Sequence, residues 1–140
     1  MRRIGAGRVL IPGEAEGPLL RLSAPLSFWG GINPATGEII LARHPERGKN
    51  VAGTILALPE PIGSSSSSYV LLELIYGGNA PAAIILGQAD GILAVGALVA
   101  QEMGWRAPPM LELPAAEIAQ LAGSNARISD GAILVSSTDN

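Results

Sequence analysis

The sequence predicts a mixed α/β domain, β-rich through its first third and alternating between strand and helix from residue 51 onward. Three observations carry this. Gly and Pro punctuate short apolar stretches up to residue 41, the pattern of strands joined by tight turns. Residues 82–86 form an uninterrupted, partly β-branched apolar run of strand length. Residues 66–76 place Val70, Leu71, Leu74 and Ile75 on one helical face. Such an order implies two or three layers, with helices covering sheet faces. At 140 residues, 48% apolar and 15% charged, residues 1–140 suit one compact domain.

In chain order, Arg8–Ile11 reads as a strand ended by Pro12-Gly13, and Pro18–Leu22 as a second. Leu26–Trp29 reads as a third, halted by Gly30-Gly31. Asn33-Pro34-Ala35-Thr36-Gly37 has the composition of a turn and precedes a short strand, Glu38–Leu41. After the polar stretch 43–50 come a strand over Val51–Leu58, a helix over Ser66–Tyr76 stopped by Gly77-Gly78, and a buried strand over Ala82–Leu86. Asp90 caps a helix running to about Met103, with Gly104 beyond it. Pro109–Leu113 is a strand, and Pro114 opens a helix to about Leu121. Arg127-Ile128 and Ala132–Val135 close the chain as a strand pair about Ser129-Asp130-Gly131.

Composition excludes several classes. A formal charge of -3 offers no basic face for nucleic acid. With no cysteine the chain makes no disulfide and supplies no thiolate to zinc or to an iron–sulfur cluster, so no metal ligand is expected from it. Arg2-Arg3 leads into Ile4-Gly5-Ala6-Gly7 rather than an apolar leader, and the longest apolar run, Ile92–Ala100, is too short to cross a bilayer. A cytoplasmic protein without a membrane association is expected. Positive mean hydropathy with only 4% aromatic residues leaves apolar surface that suits a partner, although Ala and Gly also inflate that balance.

The run Gly63-Ser64-Ser65-Ser66-Ser67-Ser68 is the most informative feature. It lies between a strand-like segment and the start of an amphipathic helix, where up to five hydroxyls and unpaired N–H groups are expected to converge on a carboxylate or phosphate. A serine tract is also a common linker, but the short loop Pro59–Ile62 and the apolar segments on both sides speak against that here. Simple N-capping by one serine is a second structural reading. The functional reading is an anion-binding or proton-transferring serine, since a helix N-terminus favours negative charge, including a developing alkoxide.

A serine hydroxyl needs a desolvated, positively biased pocket before it removes a proton. His44, the one histidine, lies between Arg43 and Pro45 in a polar loop and reads as a solvated surface residue rather than as a base. No G-x-S-x-G elbow accompanies the serines, so a Ser-His-Asp hydrolase is disfavoured. A second candidate surface is Phe28–Gly37: Gly30 and Gly31 permit close approach of a ligand or partner backbone, and Asn33 and Thr36 offer neutral hydrogen bonds. The alternative is a Phe/Trp core plug with a glycine turn. Arg43 and Arg47 are possible anion contacts, although lone arginines are usually solvated.

Taken together, Gly7-Arg8-Val9-Leu10 through Gly13-Glu14-Ala15-Glu16-Gly17, Ser27-Phe28-Trp29-Gly30-Gly31, Pro34-Ala35-Thr36-Gly37, His44-Pro45, Gly63–Ser68 and Asn79-Ala80-Pro81-Ala82-Ala83-Ile84 resemble the small subunit, or swivel domain, of the aconitase X family. The resemblance runs in order over nearly the whole chain and implies the swivelling β/β/α domain of aconitase-like enzymes. It implies a larger, cysteine-containing catalytic subunit that holds iron or an iron–sulfur cluster, and a small hydroxy-acid substrate. The family pattern places the proton-abstracting serine at Ser64, with Ser65 next to it as the second catalytic position. Ser66 stands where ordinary aconitases carry an arginine, so the substrate contact made there must come from elsewhere. Ser66, Gly30, Gly31 and Asn33 are the expected substrate-binding positions.

The resemblance leaves two dehydratase activities in competition. The unbroken serine run and the Gly104-Trp105 region resemble the bacterial cis-3-hydroxy-L-proline dehydratase, which yields pyrroline-2-carboxylate, more than the archaeal mevalonate-5-phosphate dehydratase. From another class, a non-catalytic module that captures an anion on the serine loop and docks a partner through Phe28-Trp29 is the alternative.

Overall fold

The computed structural model of the protein describes residues 1–136. Eight strands run β1 (Arg2–Ala6), β2 (Arg8–Ile11), β3 (Ala15–Arg21), β4 (Ile55–Leu58), β5 (Ala83–Leu86), β6 (Met110–Glu112), β7 (Asn125–Ser129) and β8 (Ala132–Val135). Four helical segments, α1 (Phe28–Gly31), α2 (Ser67–Gly77), α3 (Gly91–Glu102) and α4 (Ala115–Ile118), are interspersed.

The strand order is β1-β8-β7-β3-β4-β5-β6-β2, with β3 through β6 parallel neighbours and the remaining pairs antiparallel. β3 belongs to both halves: Ala15–Pro18 pair with β7, and Leu19–Arg21 pair with β4. β1 and β2 lie at opposite ends of the order yet are separated only by Gly7, so the sheet curls until its edges nearly meet. A side chain at Gly7 would press on the Leu111 Cβ and the Glu112 carbonyl oxygen at 3.0 Å, which is why that junction takes glycine.

β4 and β5 are buried on both faces, the physical reason they read as unbroken apolar runs. Their alternate residues feed two cores. Leu56, Leu58, Ile84, Leu86 and Met110 pack with Val70, Leu71, Leu74, Leu93 and Ala97 of α2 and α3. Ile55, Ala57, Ala83, Ile85 and Leu111 pack with Ala126, Ile128, Ile133 and Val135 of the antiparallel half. Three layers result, sheet on sheet on helix.

Both helices expected on the site side form as their signals predict. α2 ends at Gly78, whose φ of 77° lets its N–H reach the Ile75 carbonyl. α3 is capped by Asp90, whose carboxylate accepts from the N–H groups of Ile92 and Leu93. The closing hairpin turns through Asp130 and Gly131, both at positive φ, as a two-residue turn between right-twisted strands requires.

Three segments depart from the sequence expectation. Leu26–Trp29 is not a strand: Leu26 makes one isolated bridge to Pro61, and Phe28–Gly31 is a kinked turn with Gly30 at φ 80°. Phe28 is buried while Trp29 stands 55% exposed, so the core plug reading holds for Phe28 and fails for Trp29. Glu38–Leu41 makes only isolated bridges, Glu38 to Asn50 and Ile39 to Ile32, because it has no free sheet edge to join. β1 was not foreseen; it forms because β8 offers an antiparallel partner. Among the described residues no helix is long and apolar enough to cross a membrane.

Candidate active site

The serine run follows the carboxyl end of β4, and Gly87-Gln88-Ala89-Asp90 follows that of β5, its parallel neighbour. The carboxyl ends of parallel strands are where α/β sheets open clefts for ligands. Here a groove of about 720 Å³ is lined by Pro61, Gly63, Ser65 and Ser68 from the first segment. The second segment contributes Gln88, Ala89, Asp90, Gly91, Ile92 and Val95. The segments are held close: the Gly87 N–H donates to the Leu58 carbonyl at 3.0 Å, and a side chain at Gly87 would collide with the Pro59 backbone. At the other end Gly96 brings α3 against Ser68.

The five serines divide their roles instead of converging. Ser67 is 1% exposed and turned inward, where its Oγ accepts from the Trp29 N–H at 3.4 Å and lies 3.5 Å from the Ser27 hydroxyl. Ser68 donates to the Ser65 carbonyl at 3.5 Å. Ser66 occupies the cap position of α2 with helical φ and ψ and makes no side-chain capping bond. The Ser64 Oγ, partly exposed, accepts a backbone N–H from Ser66 at 3.4 Å. Ser65 is exposed on the groove, whereas Ser64 and Ser66, one residue to either side of it, lie outside the groove lining.

The two helix N-termini differ electrostatically. At α3 the partial positive charge is offset by the Asp90 carboxylate. At α2 no acidic residue lies in the first turn and no side chain caps it, so its field is available to negative charge at Ser64. Among the described residues no Lys, Arg or His lines the groove.

Of the remaining predicted positions, Gly30 and Gly31 lie on the kinked turn that Ser67 holds through Trp29, and Gly31 packs against Leu26. The Asn33 carboxamide oxygen is engaged within its own turn, accepting from the Ala35 N–H at 2.9 Å, and Thr36 Oγ1 likewise accepts from the Glu38 N–H. His44 corrects the solvated reading: it is 6% exposed and both ring nitrogens are engaged, Nε2 with the Ala24 carbonyl and Nδ1 with the Glu46 N–H. A histidine so committed leaves the serines without an imidazole base. Arg43 and Arg47 are exposed.

Sequence reasoning missed the contributions of Gln88 and Ala89 to the groove, which carry no motif and arise only from the approach of the loop after β5 to the serine segment. It also missed Glu112, whose carboxylate accepts from the Ala89 N–H at 2.7 Å and from the Arg8 Nε at 2.8 Å. Arg8 first and the Ala89 N–H second hold the Glu112 carboxyl below its ordinary pKa. Among the described residues no three His, Asp or Glu side chains gather as a metal site, and the sequence has no cysteine. The donor set of this chain does not fit an iron–sulfur cluster.

A sequence profile described as the aconitase X swivel domain matches residues 4–136, nearly the whole chain. The chain belongs to the aconitase X swivel-domain family. A cis-3-hydroxy-L-proline dehydratase of Pseudomonas aeruginosa is 46% identical over 124 residues, covering 89% of this chain but 21% of that protein. The chain therefore spans about a fifth of that relative's length. A phosphomevalonate dehydratase small subunit of Thermococcus gammatolerans is 47% identical over 94 residues, covering 67% of this chain and 72% of that one. In three dimensions the fold matches Thermococcus kodakaraensis aconitase X in its holo form with a TM-score of 0.82 at 33% identity, over 94% of this chain and 97% of that one. The three layers of this aconitase X swivel domain thus agree with a solved relative.

Proposed function

We propose that this swivel domain is the small subunit of a cytoplasmic, aconitase X-type hydro-lyase, and that it supplies the serine that takes the proton next to the substrate carboxylate. One observation carries the assignment to Ser64. Its oxygen is the partly exposed serine oxygen that accepts a backbone N–H at the uncapped N-terminus of α2, the arrangement that stabilises an alkoxide. Ser67 also accepts an N–H, but it is buried against Trp29 and out of reach of substrate. Ser65, on the groove beside it, is the second catalytic position, and the neighbouring Ser66 contributes through its N–H.

The groove is half a site. It offers hydroxyls and backbone donors but no cation to hold a carboxylate, so a larger polypeptide must bring one. The iron or iron–sulfur group that the family resemblance implies belongs to that polypeptide in this reading. Closing the groove also excludes water, which a serine base requires. Within this chain, the Ser64 oxygen receives the proton from the carbon bearing the carboxylate, the electron pair forms the new double bond, and hydroxide leaves the adjacent carbon.

The substrate we favour is cis-3-hydroxy-L-proline, whose dehydration gives an enamine that tautomerises to pyrroline-2-carboxylate. Support comes from the extent of the match to the Pseudomonas aeruginosa dehydratase and from the absence of Lys or Arg on the groove, where a phosphorylated substrate would need one. Phosphomevalonate is the second reading, favoured by the small-subunit relatives. The test is to co-express the chain with a larger aconitase X-type polypeptide from the same genome and assay both acids. Ser64→Ala in that complex is expected to lower kcat by about 10²–10⁴-fold with association intact. Retained turnover would overturn the assignment, and phosphate binding without dehydration of either acid would favour a binding module.

A further inference from the structure

We infer that Glu112 is a positioning residue for the groove: it fixes the wall that faces the serines, acting through the backbone of Ala89. The inference rests on reading this groove as the dehydration site. Glu112 ends β6 and lies outside the groove lining, but its Oε2 accepts the Ala89 N–H at 2.7 Å. Its Oε1 is held from the other side by Arg8 of β2, through Nε at 2.8 Å and Nη2 at 2.6 Å. Among the described residues this is the one Lys or Arg ion pair to a carboxylate, and it is spent on the loop that carries Gln88, Ala89 and Asp90.

The loop has two fixed points. Gly87 is tied to Leu58, whose strand leads into the serine segment, and Ala89 is tied to Glu112. Two residues apart, these anchors leave the intervening peptide little freedom, so Gln88 and Asp90 present to the groove in one arrangement. Without the second anchor, the Ala89 N–H loses its acceptor and the wall can move away from Ser65 and Ser68. A substrate bound between the two segments then meets a loose site, which weakens binding more than it alters the proton transfer at Ser64.

The test combines amide hydrogen exchange over residues 87–93 with steady-state kinetics of the assembled complex. Glu112→Ala is expected to speed exchange at 88–91 by about 10-fold or more and to raise KM about 10-fold, with kcat within about 3-fold of wild type. Arg8→Met keeps the acceptor for Ala89 and is expected to change exchange and KM by less than about 3-fold. Wild-type exchange or KM in Glu112→Ala overturns the inference, as does an Arg8→Met variant that loses as much. If Glu112→Ala does not fold, Glu112→Met replaces it. It keeps the length of the side chain but offers the Ala89 N–H no oxygen acceptor, so unchanged exchange there overturns the inference. If the wild-type complex dehydrates neither acid, the functional reading fails, while the exchange data still decide whether Glu112 anchors the wall.

Discussion

Gly96 of α3 lies against Ser68 of α2 so closely that a Cβ on Gly96 would stand 3.1 Å from both the Ser68 Cα and its carbonyl oxygen. This contact brings the N-terminal halves of the two helices together and sets one end of the serine groove. Ser68 meets Gly96 through backbone, which cannot swing aside as a flexible side chain would. Gly96→Val is therefore expected to push α3 outward, lowering stability by about 1–3 kcal/mol. Chemical denaturation measures that loss, and an unchanged midpoint would show that the helices separate freely.

Ser67 and Ser64 are expected to respond in opposite ways. Ser67→Ala removes the buried oxygen that accepts from the Trp29 N–H and leaves that donor without its partner. A loss of about 1–3 kcal/mol follows, together with a changed Trp29 fluorescence spectrum. Ser64→Ala, at a partly exposed position, should alter stability by no more than about 0.5 kcal/mol. Urea titrations of the two variants side by side decide it; equal losses would mean that the inward and outward serines are not distinct.

Glu112 makes stability depend on pH in a direction that can be stated in advance. Its folded carboxyl is held below the ordinary value, by Arg8 first and by the Ala89 N–H second. The stabilisation is fully present above the unfolded-state pKa and is lost as pH falls through the lower folded value. The advantage of wild type over Glu112→Gln in melting temperature should thus be steady near neutrality and shrink as the solution is acidified below about pH 4. A gap that widens on acidification would contradict the assigned direction.

How much of this was legible in the sequence depended on whether the signal was local. β4 and β5 stood out because burial on both faces demands apolar residues at every position. Asp90 announced α3 because a cap works through its own next three residues. Arg2–Ala6 gave no such signal, since an exposed edge strand needs only a partner, which β8 supplies from the far end of the chain. Leu26–Trp29 misled because Phe28 is apolar for the core while its neighbours turn through Gly30.

The candidate site shows the same boundary. Sequence alone determined that serines would stand at a helix N-terminus beyond a buried strand, that no thiolate would help them, and that the family was aconitase X. Only the tertiary structure decided which serine faces which way, that His44 is buried between the Ala24 carbonyl and its own loop, and that Glu112 reaches across to Ala89. The reason is geometric. Successive residues at the start of a helix point about 100° apart, so adjacent identical side chains meet different neighbours. Those neighbours, Trp29, Gln88 and Gly96, come from segments far apart in the chain and are brought there by the packing of α2 and α3 on the parallel strands.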